Sequence, residues 1–207
     1  MTRTRGLIIG AIAMTATVVA SNILVQHLLG DWLTWGALSY PVAFLVTDLT
    51  NRALGAKAAR QVVLAGFAAG VVCSLVAAGF GATTLRIAAG SGLAFLVAQM
   101  LDVGVFDRLR GESWWRAPLV SSLVGSAADT AIFFSVAFAT VFTPLVPWDD
   151  VSWANEMVPV LGVGREAPLW VSLALADFAV KMALALLALV PFRAAVALMG
   201  PSTARDA

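Results

Sequence analysis

Histidine, cysteine, tyrosine and charge are all scarce in this sequence. Its 207 residues include one histidine, one cysteine and one tyrosine, and only 12% of them are charged. Because Cys73 stands alone, an internal disulfide or a cysteine-ligated metal site is excluded. Because His27 stands alone, a zinc site or histidine-assisted nucleophilic catalysis has little support. We therefore expect neither a metal nor a cofactor.

The apolar content is correspondingly high. Hydrophobic residues make up 60% of the chain, and the mean hydropathy of +0.91 exceeds what a soluble domain can keep from water. The formal net charge is +1, and no basic patch is interleaved with aromatic residues as a nucleic-acid groove requires. Lipid is the expected solvent, and nucleic acid is not an expected partner.

Charges, prolines and tryptophans divide the apolar sequence into six runs, each close to the ~20 residues that a helix needs to cross a bilayer. The runs lack the two-residue alternation of membrane β-strands, so their backbone groups must be paired within helices. The sequence predicts a single all-α polytopic membrane domain over 1–207, with six transmembrane helices at about 7–28, 35–53, 61–80, 86–105, 117–142 and 168–192.

The basic residues that flank these runs are distributed unevenly. One set of alternate segments carries ten of them and the other set carries two. Because Lys and Arg concentrate on the cytoplasmic side of a membrane, this bias places both termini and the second and fourth connections in the cytoplasm. The larger set is Arg3, Arg5, Arg52, Lys57, Arg60, Arg108, Arg110, Arg116, Arg193 and Arg205, and the smaller is Arg86 and Arg165.

The first run has an alternative interpretation. Arg3 and Arg5 followed by an apolar stretch resemble a signal peptide, with a conceivable cleavage site at Val18-Val19-Ala20. The stretch over 7–25 is long for such a segment, so we expect an uncleaved helix. Aromatic anchors are typical of membrane interfaces, and all seven tryptophans fall near run ends or in the last external connection: Trp32, Trp35, Trp114, Trp115, Trp148, Trp153 and Trp170.

Two further features leave their roles open. The longest connection, about 143–167, is acidic and proline-rich, which favours an external loop that acts either as a lid or as a passive link. Gly66 and Gly70 have the GxxxG spacing that allows close helix contact, although a chain so rich in glycine and alanine produces that spacing by chance.

Polar side chains inside the runs are the strongest indication of function. An ionised group near the bilayer centre costs ~2.5–3.5 kcal/mol or more, so such groups must face the protein interior or water. Neutral amides and hydroxyls are also poorly placed against lipid. Together they predict a polar cavity and a set of candidate binding residues: Asn22, Asp48, Gln99, Asp102, Asp129, Asp177 and Lys181, with Gln26 and Ser91 as further polar groups.

Helical spacing places some of these residues on common faces. Asp48 and Asp102 lie near the predicted cytoplasmic boundary, where a hydrated or topology-fixing role is as reasonable as ligand contact. Pro41 is expected to kink the second helix and open space beside it. The pairs that share a face are Asp177 with Lys181, Asp48 with Arg52, and Gln99 with Asp102.

Intramembrane catalysis finds little support. Gly90-Ser91-Gly92 is similar to the nucleophile segment of intramembrane serine proteases, but no histidine follows it to act as a base. Asp129 and Asp177 lack the sequence surroundings of aspartyl proteases, and no Gly-rich nucleotide loop is present. We therefore expect no enzymatic activity.

The order of several short motifs resembles the queuosine precursor transporters, also called the vitamin uptake transporter family. The likeness covers nearly the whole chain, although Ser126 stands where an asparagine is expected and the 143–167 connection is longer than usual. The motifs are Ser21 to Gln26, Thr34 to Ala37, Thr47 to Leu49 with Arg52, Gly55 and Ala59-Arg60, then Arg86 to Ala88, Ser91, Gln99 to Asp102, Phe106, Trp114-Trp115, Ser121, Asp129-Thr130, Asp177, Lys181 and Pro191.

The resemblance implies import of a 7-deazaguanine, such as 7-cyano-7-deazaguanine, across the bacterial inner membrane for salvage into tRNA queuosine. A guanine-like edge offers adjacent N–H donors that one carboxylate accepts together. Asp129 or Asp177 would accept them. The carbonyl or nitrile would receive a hydrogen bond from Asn22, Gln99 or Lys181, and the ring would stack on Phe133, Phe134 or Phe178.

Several alternatives remain at this point. Transport could be proton-coupled or could be facilitated diffusion followed by metabolic trapping. The chain could instead be the substrate-binding subunit of an energy-coupling-factor importer, or a scaffold, although a scaffold leaves the intramembrane aspartates unexplained. The sequence fixes neither the oligomeric state nor the preferred deazapurine.

Overall fold

Six long helices form the protein in this computed structural model, which describes residues 2–199. Each overlaps one predicted run, so the all-α polytopic fold class is confirmed. Of the predicted basic residues, Arg205 lies outside the described range. The helices are α1 (Arg3–Leu24), α2 (Gly36–Leu54), α3 (Ala56–Gly79), α4 (Leu85–Leu109), α5 (Arg116–Phe138) and α6 (Leu169–Met199).

Helix boundaries differ from the predicted runs where apolar sequence continues past a helix end. Residues 25–28, counted in the first run, form a turn and enter a hairpin of β1 (Leu28–Leu29) and β2 (Leu33–Thr34). A second hairpin, β3 (Met157–Pro159) with β4 (Glu166–Pro168), lies in the last connection with three short 3₁₀ turns. Hydropathy alone does not mark these ends, because hairpin residues such as Leu28 are as apolar as helix residues.

Five of the described helices are long and apolar enough to cross a membrane, and α2 falls outside that set. Its 19 residues reach ~28 Å, close to the ~30 Å of a hydrocarbon core. Thr47, Asp48 and Asn51 lower its hydropathy, yet all three side chains are buried inside the bundle. The polarity of α2 is therefore directed at other helices.

The helix surfaces are apolar and the interior is polar. Ile12 is 64% exposed, Leu187 64% and Val190 73%, which suits contact with lipid chains. Buried positions, in contrast, include four aspartates, a lysine and an arginine: Asp48, Asp102, Asp129, Asp149, Lys181 and Arg86. This distribution is the one expected of helices that satisfy polar groups internally while facing a bilayer.

Small residues bring α1 and α3 together. A Cβ atom at Gly66 would overlap Met14 Cγ, and one at Gly70 would lie 3.1 Å from Val18 Cγ1. The GxxxG spacing therefore does serve close helix contact in this protein. Met14 and Val18 belong to the same apolar cluster as Val62 of α3, so α1 is an integral part of the bundle core.

Candidate functional site

Three charged side chains meet between α5 and α6. Lys181 Nζ donates to Asp129 Oδ2 and to Asp177 Oδ2, both at 2.6 Å. Thr130 Oγ1 donates to Asp177 Oδ2 at 2.8 Å and lies 3.3 Å from Lys181 Nζ. The contact between Asp177 and Lys181 is the one predicted from their four-residue spacing. Asp129 joins them only through the packing of α5 against α6.

This cluster lies deep in the bundle. Lys181 and Asp129 are each 4% exposed. Lys181 lies 12 residues beyond the start of α6 at Leu169, a distance of ~18 Å along the helix and about half of a bilayer core. Buried charges persist where each finds an opposite partner and hydrogen bonds. With all three groups ionised, the cluster has a net charge of −1.

A cavity of about 420 Å³ leads to the cluster, a volume within the ~300–1,000 Å³ typical of small-molecule sites. Its walls come from the connections between α1 and α2, α3 and α4, and α5 and α6, together with the adjoining helix ends. All three connections lie at one end of the bundle, so the cavity opens at that end. The polar side chains that line it are Ser21, Asn22, Gln26, Asp31, Thr34, Thr83, Ser91, Asp129, Asp177 and Lys181.

Aromatic rings form one wall of this cavity. Phe133, Phe134, Phe138 and Trp153 all line it. Phe133 and Phe134 lie 5.0 Å apart between ring centroids, and Trp153 packs edge-on against Phe138 at 5.4 Å. Such rings offer flat apolar surface for a planar ligand. Phe178, which the sequence also suggested for stacking, is not among the lining residues.

The four neutral polar groups predicted for the cavity divide into two sets. Asn22, Gln26 and Ser91 line it. Asn22 Nδ2 already donates to Val18 O at 2.9 Å, and its Oδ1 accepts from Ser74 Oγ at 3.3 Å. Gln99 lies elsewhere, 1% exposed, where its Oε1 accepts from Thr47 Oγ1 at 2.6 Å.

Asp48 and Asp102 form a second polar site, away from the cavity walls. The two carboxyls lie beside each other, with Ser121 donating to Asp48 Oδ1 at 3.3 Å. The suggested pairing of Asp48 with Arg52 does not occur, because Arg52 Nη1 donates to Arg110 O at 2.9 Å. The structure thus separates the predicted residues into a cavity set and a pair nearer the other end of the bundle.

Sequence reasoning did not select Thr130 as a site residue. Hydroxyls in transmembrane helices usually bond to the carbonyl one turn earlier, so a threonine there carries little functional signal by itself. Its position next to Asp129 in the sequence was the available indication. Trp153 was likewise expected to be an interfacial anchor, and its contact with Phe138 depends on how the last connection folds back.

Comparison with known proteins gives the family. A family model described as "Putative vitamin uptake transporter" matches residues 34–196. The chain belongs to this vitamin uptake transporter family. The matched range contains Asp48, Asp102, Asp129, Asp177 and Lys181, whereas Asn22 precedes it. No solved structure matches the chain.

Three curated relatives carry the same functional description. One from Escherichia coli (strain K12), "Queuosine precursor transporter", is 41% identical over 58% of this chain and 63% of its own length. "Probable queuosine precursor transporter" describes two others, from Haemophilus influenzae at 37% identity (60% of each chain) and from Bacillus subtilis at 31% (61% of this chain, 66% of the relative). The chain matches less than two thirds of the length of each of these relatives.

Proposed function

We propose that the protein imports a queuosine precursor of the 7-deazaguanine type across the bacterial inner membrane. The observation that carries this proposal is the buried cluster of Asp129, Asp177 and Lys181 at the inner end of a cavity of small-molecule size. The names of the curated relatives support the substrate class. They also weigh against a substrate-binding subunit of an energy-coupling-factor importer, because each relative is named as a transporter itself.

The cluster is chemically suited to the edge of a guanine-like ring. The hydrogen bonds from Lys181 and Thr130 end on Oδ2 of the two aspartates, which leaves Oδ1 of each to accept an N–H from a ligand. Lys181 can donate to the ring carbonyl in place of its 3.3 Å hydrogen bond to Thr130 Oγ1. Hydrogen bonds to charged groups are the stronger ones, so a ring with adjacent N–H donors gains most from this site. The rings of Phe133 and Phe134 stand at 81° to each other, so one of them covers the ligand's flat face and the other meets its edge.

The proposed topology is one unit of six spans with both ends in the cytoplasm. Its support is the grouping of basic side chains at the end of the bundle opposite the cavity mouth. Arg52 contacts the Arg110 carbonyl, which joins the α2–α3 and α4–α5 connections at that end. Arg193 of α6 lies 4.9 Å from the Trp114 ring centroid, at the same end. By the positive-inside rule this end faces the cytoplasm and the cavity opens outward.

Arg86, at the opposite end, has a structural explanation. It is 3% exposed and donates to Val136 O at 2.8 Å and to Ala139 O at 2.5 Å. These carbonyls lie at the carboxyl end of α5, where unpaired carbonyls and the helix dipole favour a cation. Arg86 therefore caps α5 and need not be counted against the charge bias.

A single engineered cysteine tests both the ligand and the orientation. We expect Ser91→Cys, made in a Cys73→Ala background, to react with a membrane-impermeant maleimide added outside intact cells, because Ser91 lines the outward cavity. A saturating concentration of 7-cyano-7-deazaguanine should slow the labelling by about tenfold when present at ten times its Kd, since bound ligand covers the cavity. A 7-deazaadenine, which lacks the paired ring donors, should give little protection.

The matched control is Ser113→Cys in the same background, because Ser113 is exposed in the α4–α5 connection. It should react only after the cells are permeabilised. If Ser113→Cys reacts from outside while Ser91→Cys does not, the topology is inverted. If Ser91→Cys reacts equally with and without the deazaguanine, the cavity does not bind that ligand.

A further inference from the structure

Asp48 of α2 and Asp102 of α4 are buried side by side outside the ligand cavity. Asp48 is 2% exposed and Asp102 is 0% exposed. Ser121 of α5 lies beside both carboxyls and donates to Asp48 Oδ1 at 3.3 Å. Neither oxygen of Asp102 has a hydrogen-bond donor within bonding geometry among residues 2–199. The pair therefore contains two buried carboxylate oxygens, both of Asp102, that accept no hydrogen bond from the described residues.

The neighbouring amide has the same incomplete pairing. Gln99 lies one helical turn before Asp102 on α4, and its Oε1 accepts from Thr47, the residue that precedes Asp48. Its Nε2 is buried without a hydrogen-bond acceptor among the described residues. An unsatisfied buried polar atom costs about 1–3 kcal/mol and is rare without a functional reason. Thr47 Oγ1 has one proton and also lies 3.0 Å from Ala43 O, so the indication of an incomplete site comes from the two oxygens of Asp102.

Within residues 2–199, the cations on and around the helices that carry the pair are bonded to other groups. Arg52 of α2 donates to the Arg110 carbonyl, and the Arg110 side chain, directly after α4, donates to Asn51 and forms an ion pair with Asp107. A second, small cavity of about 10 Å³ is lined by Asp48 and, from α6, by Lys181. The Lys181 ammonium is bonded to Asp129 and Asp177. The group that faces the pair from α5 is the Ser121 hydroxyl.

Two ionised carboxylates in contact, with little water, are strongly unfavourable. One shared proton converts their repulsion into an O–H···O hydrogen bond and supplies Asp102 with its missing partner. A divalent metal is a poorer occupant, because no group of three or more His, Cys, Asp or Glu side chains within 2–199 is arranged to hold one. The adjoining cavity of about 10 Å³ has room for about one water at most.

We propose that Asp48 and Asp102 together bind one proton and exchange it across the membrane during each import cycle. This inference rests on the proposed transport function. In the cycle, an O–H bond of a hydronium ion in the ligand cavity breaks, its proton passes by way of the small cavity that Lys181 and Asp48 line, and a new O–H bond forms on one carboxylate. After the bundle opens to the cytoplasm, that O–H bond breaks and the proton passes to cytoplasmic water. The net result is one proton moved inward with each ligand.

Lys181 connects the proton site to the ligand site. It lines the ligand cavity together with Asp129 and Asp177, and it lines the small cavity together with Asp48. Loss of the proton leaves the pair with more negative charge, which attracts the Lys181 ammonium toward Asp48 and away from the cavity aspartates. The ligand site then lacks the lysine that donates to the ring carbonyl, so proton loss to the cytoplasm promotes ligand release. By reciprocity, proton and ligand favour each other's binding, as inward transport of both requires.

Infrared spectroscopy of the purified full-length protein in lipid nanodiscs tests proton binding without reference to any ligand. At neutral pH we expect the carbonyl-stretch band of a protonated carboxyl, shifted in D₂O, and we expect Asp102→Asn and Asp48→Asn each to remove it. Asp150→Asn, at an exposed loop position, should keep the band. A wild-type spectrum without such a band, or a band that survives in both variants, would overturn the proposal.

Transport in proteoliposomes separates this inference from the proposed function. A pH gradient of one unit, acidic outside, should drive up to about tenfold accumulation of 7-cyano-7-deazaguanine by the wild type. One proton that moves down this gradient supplies 1.36 kcal/mol. Asp102→Asn should bring the ligand only to equal concentrations, with KM near that of wild type. If wild-type uptake does not respond to the pH gradient, proton coupling is refuted and the proposed import function is retained. Complete absence of uptake by the wild type refutes the function.

Discussion

The Lys181→Met variant should lose uptake of the deazaguanine to below about one hundredth of the wild-type rate and should also be less stable. Lys181 bonds to both cavity aspartates at 2.6 Å. Without its ammonium, two carboxylates remain near each other with little exposure. Removing one partner from a buried ion pair destabilises a protein by ~3–5 kcal/mol, because the remaining charge is unpaired. Methionine keeps the length and apolar character of the lysine stem.

Thermal unfolding in detergent and initial uptake in proteoliposomes measure the two effects. Lys57→Met is the matched control, because Lys57 is the other lysine of the sequence and its side chain is exposed at the start of α3. It should leave both stability and uptake unchanged. Adding Asp129→Asn to Lys181→Met should recover part of the lost stability without recovering uptake. Near-normal uptake by Lys181→Met would refute the role assigned to the cluster.

Asp129→Asn and Asp177→Asn should each weaken ligand binding by about tenfold to a hundredfold. An amide in place of a carboxylate loses one charge-assisted hydrogen bond, worth ~1.5–3 kcal/mol, and 1.4 kcal/mol corresponds to a factor of ten in affinity. Asparagine is nearly isosteric with aspartate, so the fold should be retained. Either change also leaves Lys181 with one carboxylate partner, which limits the loss of stability.

Equilibrium binding to the purified variants, together with uptake at saturating ligand, gives the affinity and the transport rate separately. Asp150→Asn serves as the control for an aspartate outside the site. If both cavity variants bind and transport as the wild type does, the cavity aspartates do not recognise the ligand. Loss in Asp177→Asn alone would restrict recognition to the carboxylate that also bonds to Thr130.

Local sequence pattern was sufficient for the helices and for contacts within one helix. The six apolar runs, their approximate lengths and the contact between Asp177 and Lys181 all follow from hydropathy and 3.6-residue periodicity. The hairpins at Leu28–Leu29 and Met157–Pro159 do not. Their strands have two and three residues and form through pairing across a turn, so no alternation long enough to recognise precedes them.

Sequence pattern did not predict the contacts between different helices. Asp129 joins Lys181, and Asp48 faces Asp102, because of how particular helix faces pack. The same packing explains why Arg52 bonds to Arg110 and not to Asp48 one turn away. Spacing along one helix shows which residues share a face. It does not show which neighbouring helix that face meets, and this decides whether a buried aspartate finds a lysine or another aspartate.

Queuosine in tRNA is the most direct measure of the central claim that this protein imports a 7-deazaguanine. The chain should be expressed in bacteria that can neither make nor import the precursor, and the cells fed a low concentration of 7-cyano-7-deazaguanine. The account predicts that wild-type protein restores queuosine in tRNA and that Lys181→Met does not. Absence of queuosine, with wild-type protein confirmed in the membrane, would contradict it.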